Sequence, residues 1–352
     1  MRTRSFERAT ACALFGPMTM ETARPSLVVC LKRFSLDDER LESRLAGNPR
    51  EAGSAIRDAA QRGSDAAQLI LGQLLLDGRG VARDLPAALT WFERAAEQGN
   101  AEARNMVGRC HERGWGVPQD YVVAAGHFEQ AIGRGHVWAK VNLAQILMRL
   151  GDPADRPRAY ELFRQAAEQG NLKAINSLAR FLEEGWVVPA DPAQAASLYR
   201  LAAERGDHWA KFNLATLLLA AGDRDSALAL VADAIARSDA GFRRRAAPLL
   251  LERPDPDLRG LGLDALARAA AAGEADDQYR YALALEAGLA GPPRPREARL
   301  WHRRAADQGH ADAIRCSRRA TALRLVARRL LHRFTFAGAK RAPVPANLQP
   351  LR

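Results

Sequence analysis

The sequence predicts an all-α protein, an α-solenoid of about seven to eight stacked helix-turn-helix repeats of roughly 36 residues. Three observations carry this prediction: helix-ending glycines at a fixed interval, apolar residues at helical spacing between them, and nearly identical phrases before the glycines. The phrases are RAAEQG at 94–99, QAAEQG at 165–170 and RAADQG at 304–309. Intervals between the glycines are 36, 36, 35, 36, 67 and 36 residues, for Gly63, Gly99, Gly135, Gly170, Gly206, Gly273 and Gly309.

Each unit reads as a helical hairpin, as the segment 64–99 shows. Its apolar residues recur at helical spacing in two stretches, one on each side of DGRGVARD at 77–84. Gly78 and Gly80 end the first helix and allow a tight connection, and Gly99 turns the chain into the next unit. Small residues such as Ala67 let the helices approach closely. Larger ones fill the space between them: Trp91, Phe92, Phe128, Phe163, Tyr199 and Trp301.

The pattern A-x3-LG-x-LL-x2-G-x-GV-x2-D-x4-A-x2-WF-x-RAAEQG at 67–99 resembles the Sel1-like repeat, a longer relative of the tetratricopeptide repeat. Clear copies are expected at 64–99, 100–135, 136–170, 171–206 and 274–309. The units 207–238 and 239–273 are degenerate, and 36–63 resembles a half unit. Loops LGDPADRP in 136–170 and AAGDRD in 207–238 replace the glycine-rich connection and should be tighter. The resemblance implies a non-enzymatic, protein-binding scaffold.

Four stretches are predicted: a disordered segment 1–35, a repeat solenoid 36–310, a basic capping helix 311–334 and a disordered tail 335–352. The formal charge is +11, with +4 in residues 1–35, +9 in 311–352 and −2 in 36–310. Basicity therefore belongs to the ends of the chain, and the predicted folded body is nearly neutral.

Compartment and origin are predicted from composition. Four cysteines without a CxxC pair suit a reducing compartment, and no apolar run is long enough to span a bilayer. We expect a cytoplasmic protein, although the start of the chain also leaves export open. The preference for arginine, with five lysines in all, indicates a GC-rich bacterial genome.

In related repeats the first helix of each hairpin lines the concave face, and this register predicts a partner-binding surface. Trp138, Trp209 and Phe212 would be anchors, and the pairs Asn105/Arg109 and Asn176/Arg180 polar clamps. The alternative is that the tryptophans pack between helices and the polar pairs are solvated. The full predicted set is Glu102, Asn105, Arg109, Trp138, Val141, Gln145, Lys173, Asn176, Arg180, Trp209, Phe212 and Thr216.

Catalytic, metal and cofactor sites are not predicted. Glycine-rich DGRGVARD lacks the Lys-Ser/Thr ending of a phosphate loop, and His136 and His208 read as cap or surface residues. The expected partner is a protein or peptide, with no small-molecule substrate. A second hypothesis is that the basic helix binds an anionic membrane surface or nucleic acid. This role would replace its capping role or be added to it. Its candidate residues are Arg318, Arg324, Arg328 and Arg329.

Overall fold

A computed structural model of the chain describes residues 48–316, and these residues contain α-helices, one short 3₁₀-helix and no strand. The α-helices are α1 (Pro49–Gln61), α2 (Asp65–Asp77), α3 (Leu85–Glu97), α4 (Ala101–Arg113), α5 (Tyr121–Gly133), α6 (Val137–Leu150), α7 (Arg156–Glu168), α8 (Leu172–Glu184), α9 (Pro192–Glu204), α10 (His208–Ala220), α11 (Arg224–Arg237), α12 (Ala240–Leu251), α13 (Pro256–Ala271), α14 (Ala275–Ala287) and α15 (Pro295–Asp307). The predicted all-α fold class is confirmed.

The described residues divide into two compact units, 48–234 and 235–316. In the first unit each helix from α1 to α9 packs against the next one along the chain, and in the second unit each helix from α12 to α14 does the same. Helical hairpins therefore stack on their neighbours within each unit, as the 36-residue period predicts. The half unit predicted before Gly63 contributes the single helix α1.

Side chains at the helix starts explain where most first helices of the hairpins begin. Asn100 and Asn171 accept the backbone N–H groups of Ala103 and Ala174, at 2.9 and 3.1 Å. His136 does the same for Ala139 through Nδ1 at 3.1 Å, so its predicted role as a cap is confirmed. Each bond satisfies an amide that has no partner within its helix.

Close packing inside each hairpin depends on pairing a small residue with an aromatic one. A Cβ built on Gly72 would lie 2.6 Å from the Phe92 ring, and one on Gly108 would lie 2.7 Å from Phe128. Both rings are fully buried. The two helices of these hairpins therefore approach at a distance that only glycine allows here.

Hairpin connections vary in length as the sequence indicates. Seven residues join α2 to α3, with Gly78 at a positive φ of 68°, but five residues join α6 to α7 and include the 3₁₀-helix Pro153–Asp155. Only three residues join α10 to α11. The tighter loops predicted for 136–170 and 207–238 are confirmed.

Candidate partner-binding surface

The predicted binding residues are best located relative to one buried alanine in each first helix. Ala103, Ala139, Ala174 and Ala210 hold this position in α4, α6, α8 and α10, and each is completely buried. The candidates occupy the position before this alanine, the second position after it and the sixth position after it. We call the set the first-helix face.

Side chains immediately before the alanine are half-buried, and those of Glu102, Trp138 and Lys173 contact a neighbouring repeat. Glu102 lies 2.7 Å from His136 Nε2, and Lys173 Nζ lies 5.6 Å from the centre of the Trp138 ring. Trp209 stacks edge-on against Phe212 with the ring centres 5.8 Å apart. This row therefore places two partly exposed tryptophans on either side of Lys173.

The second position after the alanine is buried in three of the four repeats, which corrects part of the prediction. Val141 is fully buried, Phe212 is 4% exposed and Asn105 is 2% exposed. This position follows the one before the alanine by three residues. It is therefore rotated by about 300° around the helix, which turns its side chain toward the neighbouring repeat. Phe212 is therefore wrong as an exposed anchor, and Val141 and Asn105 are wrong as exposed contacts.

The asparagines predicted as clamps bond to asparagines of the next repeat. Asn142 donates to Asn105 Oδ1 at 2.8 Å, and Asn213 donates to Asn176 Oδ1 at 2.9 Å. Asn176 stays half-buried, so it keeps some access to solvent. These amide pairs join adjacent first helices and leave the amides less free for a partner than the sequence suggests.

The sixth position after the alanine is half-buried in all four repeats. Arg109 lies over Trp115 at 5.2 Å, and Arg180 lies over Trp186 at 5.7 Å and 3.9 Å from Glu184. Gln145 is half-buried, and Thr216 donates to the carbonyl of Phe212 at 3.2 Å. Arginine at this position is held in place by the tryptophan of its own hairpin loop.

Trp115 and Trp186 are site residues that the sequence analysis missed. Both follow the arginine by six residues, and both come directly after the glycine that ends the first helix. This repeated Arg-x5-Trp spacing was a usable signal. The glycine before each tryptophan makes the same stretch look like a simple connector.

A partly buried side-chain cap holds the start of α10, two residues before Trp209. Burial raises the pKa of Asp207 above its usual value, while the hydrogen bond from the Ala210 amide and the nearby Lys173 oppose that rise. Asp207 accepts this amide at 2.7 Å and so fixes the first turn of α10. The tryptophan two residues on projects from an anchored helix start.

Among residues 48–316, no group of three or more His, Cys, Asp or Glu side chains is arranged to hold a metal ion. No helix in that range is long and apolar enough to cross a bilayer. Burial raises the pKa of the Cys110 thiol to about 12.

The candidate anion-binding residues lie outside the described residues, together with most of the predicted capping helix. They are Arg318, Arg324, Arg328 and Arg329. The segments 1–35 and 335–352 also lie outside the described residues.

Stacked hairpins with buried small residues define an α-solenoid repeat protein. The chain belongs to the Sel1 repeat family, because the family model matches five segments that make up half of its length. The matches are 65–100, 101–136, 139–171, 172–207 and 275–310. They are the five predicted clear copies, each shifted by one to three residues. Proteins of this family are generally non-catalytic scaffolds for protein interactions.

Solved structures similar to this chain include two bacterial proteins. A protective antigen of uropathogenic Escherichia coli with an SLR fold is 29% identical, with a TM-score of 0.47 and coverage of 75% of this chain. This chain spans 58% of the length of that antigen. A Sel1 repeat protein of Oxalobacter formigenes is 23% identical, with a TM-score of 0.49 and coverage of 63% of this chain and 96% of its own. No curated protein matches the chain.

Proposed function

We propose that the protein is a non-enzymatic scaffold that binds a partner protein or peptide on the first-helix face. The observation that carries this proposal is the row formed by Trp138, Lys173 and Trp209 on three consecutive repeats. Each of these side chains is half-buried, so an anchored part packs in the protein while another part reaches solvent. Aromatic side chains in this setting supply much of the binding energy in protein interfaces.

Polar residues beside this row recognise polar groups of the bound partner. Arg109 and Arg180 present guanidinium groups that are oriented by loop tryptophans, and Gln145 and Thr216 are half-buried between and beyond them. Planar guanidinium groups suit carboxylates of a bound chain, because both are forked and of opposite charge. The surface combines apolar anchors with directional polar groups at a spacing set by the repeats.

The test is a pull-down with the full chain, identification of the partner by mass spectrometry, and titration of that partner. Replacing Trp138→Ala and Trp209→Ala together should weaken binding by at least about tenfold, since interface tryptophans often contribute 2 kcal/mol or more. Trp91→Ala is the matched control. Trp91 is a half-buried tryptophan beneath an arginine, Arg94 at 4.7 Å, but on the second helix of its hairpin.

Circular dichroism and melting should show that both variants keep their helices. Equal partner affinity for the wild type and the double variant would remove the first-helix face as the binding surface. An equal loss in the Trp91 variant would point to a stability effect instead.

A further inference from the structure

One hairpin of the first unit carries a pair of histidines between its two helices. The rings of His111 on α4 and His127 on α5 have their centres 5.5 Å apart, and their planes are inclined by only 13°. Both side chains are half-buried, so the pair is accessible to a small ion from solvent. Two imidazoles therefore meet across the helices of a single repeat.

The other clear repeats carry apolar residues at these two positions. His111 is the eighth residue after the buried Ala103, and His127 immediately precedes the buried ring of Phe128. The corresponding pairs in the matched repeats are Leu75 with Trp91, Leu147 with Leu162, Leu182 with Leu198, and Leu285 with Trp301. An apolar pair is therefore enough to build the hairpin, and the repeat fold does not require the two histidines.

His127 also has a ring nitrogen that lacks a hydrogen-bond partner. Its Nδ1 is shielded from solvent and makes no hydrogen bond to a described residue. Burial lowers the pKa of His127, and the charges of His111 and Arg104 lower it further, so the imidazole is neutral at pH 7. Neutral imidazole is the form that binds metal ions, and a bond to Nδ1 would satisfy a buried polar atom.

The separation of the two rings fits one metal ion between them. Two imidazoles on one tetrahedral ion have ring centres roughly 5 Å apart, because each metal–nitrogen bond is about 2.0 to 2.1 Å long. The distance of 5.5 Å between the rings of His111 and His127 is close to this value. Rotation about χ2, which is a broad torsion in histidine, would aim one nitrogen of each ring at the ion.

The chemistry of the pair indicates which ions it would take. Among residues 48–316 no third His, Cys, Asp or Glu completes a metal-binding group, so water would fill the remaining coordination positions. Imidazole nitrogen suits Zn²⁺, Ni²⁺ and Cu²⁺, whereas Mg²⁺ and Ca²⁺ need oxygen ligands. Arg104 is a positive neighbour of His127, so it weakens the binding of any cation without removing a ligand.

We propose that His111 and His127 together bind one divalent transition-metal ion, for which Zn²⁺ is the probe, between α4 and α5. Binding stabilises the folded hairpin, because the unfolded chain does not hold the two rings together. Neither histidine lies on the first-helix face, so this site goes beyond the function proposed above.

Isothermal titration calorimetry of the full chain with ZnCl₂ tests the pair. His111→Leu and His127→Leu should each weaken Zn²⁺ binding at least about tenfold, because one imidazole then replaces two that act together. The double variant should bind Zn²⁺ as weakly as either single variant, since each of these already lacks the pair. Leucine is the residue that other repeats carry at both positions, so the variants should keep their helices in circular dichroism.

His208→Leu is the matched control. His208 stands two residues before the buried Ala210 of α10, and Leu172 holds the same place before Ala174 in α8. This change therefore also replaces one histidine by the leucine of another repeat. It should alter the Zn²⁺ affinity less than about twofold, and an excess of CaCl₂ should leave the wild-type titration unchanged.

The charge of Arg104 provides a second variant with the opposite sign. Arg104→Gln should strengthen Zn²⁺ binding severalfold at low ionic strength, because it removes a positive charge near His127. Arg200→Gln, at an exposed position on α9, should leave the affinity unchanged. An unchanged affinity in the Arg104 variant would place the ion away from His127 and contradict the proposal.

Equal Zn²⁺ affinity of the wild type and the His111/His127 double variant would overturn the proposal and assign the ion to other side chains. An equal loss in the His208 variant would show adventitious binding to histidines and would also overturn it. Saturating Zn²⁺ should raise the melting temperature of the wild type and not that of the double variant, and the same rise in both would again place the ion elsewhere.

Discussion

At the scale of single residues, the array depends on positions that admit only very small residues. Gly72 and Gly108 each face an aromatic ring of the second helix. Ala144 and Ala179 hold the same place in their repeats and are fully buried. Small-against-large pairing was predictable from the sequence because the glycine and the aromatic residue recur at fixed positions in the repeat. The sequence does not predict which of the partly exposed tryptophans also contact the neighbouring repeat, because that depends on the rotation of each helix.

Replacing Gly72→Ala should destabilise the protein by about 1 to 3 kcal/mol, because the new methyl group would collide with the buried Phe92 ring. Gly126→Ala is the control, since a Cβ at that helical position meets no atom within 4 Å. It should leave stability unchanged or raise it by about 0.5 to 1 kcal/mol through helix propensity. Chemical denaturation measures both. Equal stability of the Gly72 variant and the wild type would contradict the close approach of α2 and α3.

The thiol of Cys110 provides a pH-dependent prediction. Burial raises its pKa to about 12, so the folded state favours the neutral thiol more than the unfolded state does. The corresponding stabilisation is complete below the unfolded pKa of about 9 and is lost as pH rises toward about 12.

Cys110 in the native chain should therefore resist a thiol reagent at pH 8 and react after unfolding, as peptide mass spectrometry would show. Rapid labelling of Cys110 in the folded protein would contradict its burial. Cys110→Ala is the companion variant, and it should flatten the decline in stability above pH 9.

At the scale of elements, helix starts connect one repeat to the next. Asn100 caps α4 and donates to Asp65 at 2.8 Å, and His136 caps α6 and contacts Glu102 at 2.7 Å. Caps were predictable for most first helices, because Asn, Ser, Asp or His comes before them; α14 is the exception, since Glu274 before it makes no side-chain cap. Their second bond to the preceding repeat was not, since it joins residues about 35 positions apart.

The cap at His136 predicts a graded series of substitutions. His136→Ala should cost about 1 kcal/mol of stability, because the Ala139 amide would lose its partner. His136→Asn should retain most of the stability, since Asn100 and Asn171 already serve at the equivalent positions. Thermal unfolding of the three proteins tests this order. Similar melting of the Ala and Asn variants would show that the His136 side chain does not act as a cap.

At the scale of the whole molecule, repetition makes the fold more predictable than the site. Every clear repeat was located within a few residues, because the same short motif occurs five times and each occurrence supports the others. The proposed binding surface lies at positions that differ between repeats, where the period carries no information. Val141 and Phe212 show this: both are apolar and in register, and both are buried between neighbouring helices.

Local contacts between successive hairpins also predict local unfolding. Gly108→Ala should raise hydrogen exchange most in the hairpins of residues 65–171, and much less in residues 240–307, because solenoid stability is a sum of nearest-neighbour interactions. Exchange mass spectrometry of the full chain resolves these segments. A uniform rise over both units would contradict this view and indicate a single cooperative structure.

The double role of the helix-start side chains has an evolutionary consequence. The units 64–99 and 100–135 carry both halves of this joint: a cap for their own first helix and an acceptor for the cap of the next one. Duplication of either whole unit would therefore carry its joint along, whereas a change of a few residues must be absorbed inside one hairpin. The five-residue connection between α6 and α7 is where this chain has accommodated such a change.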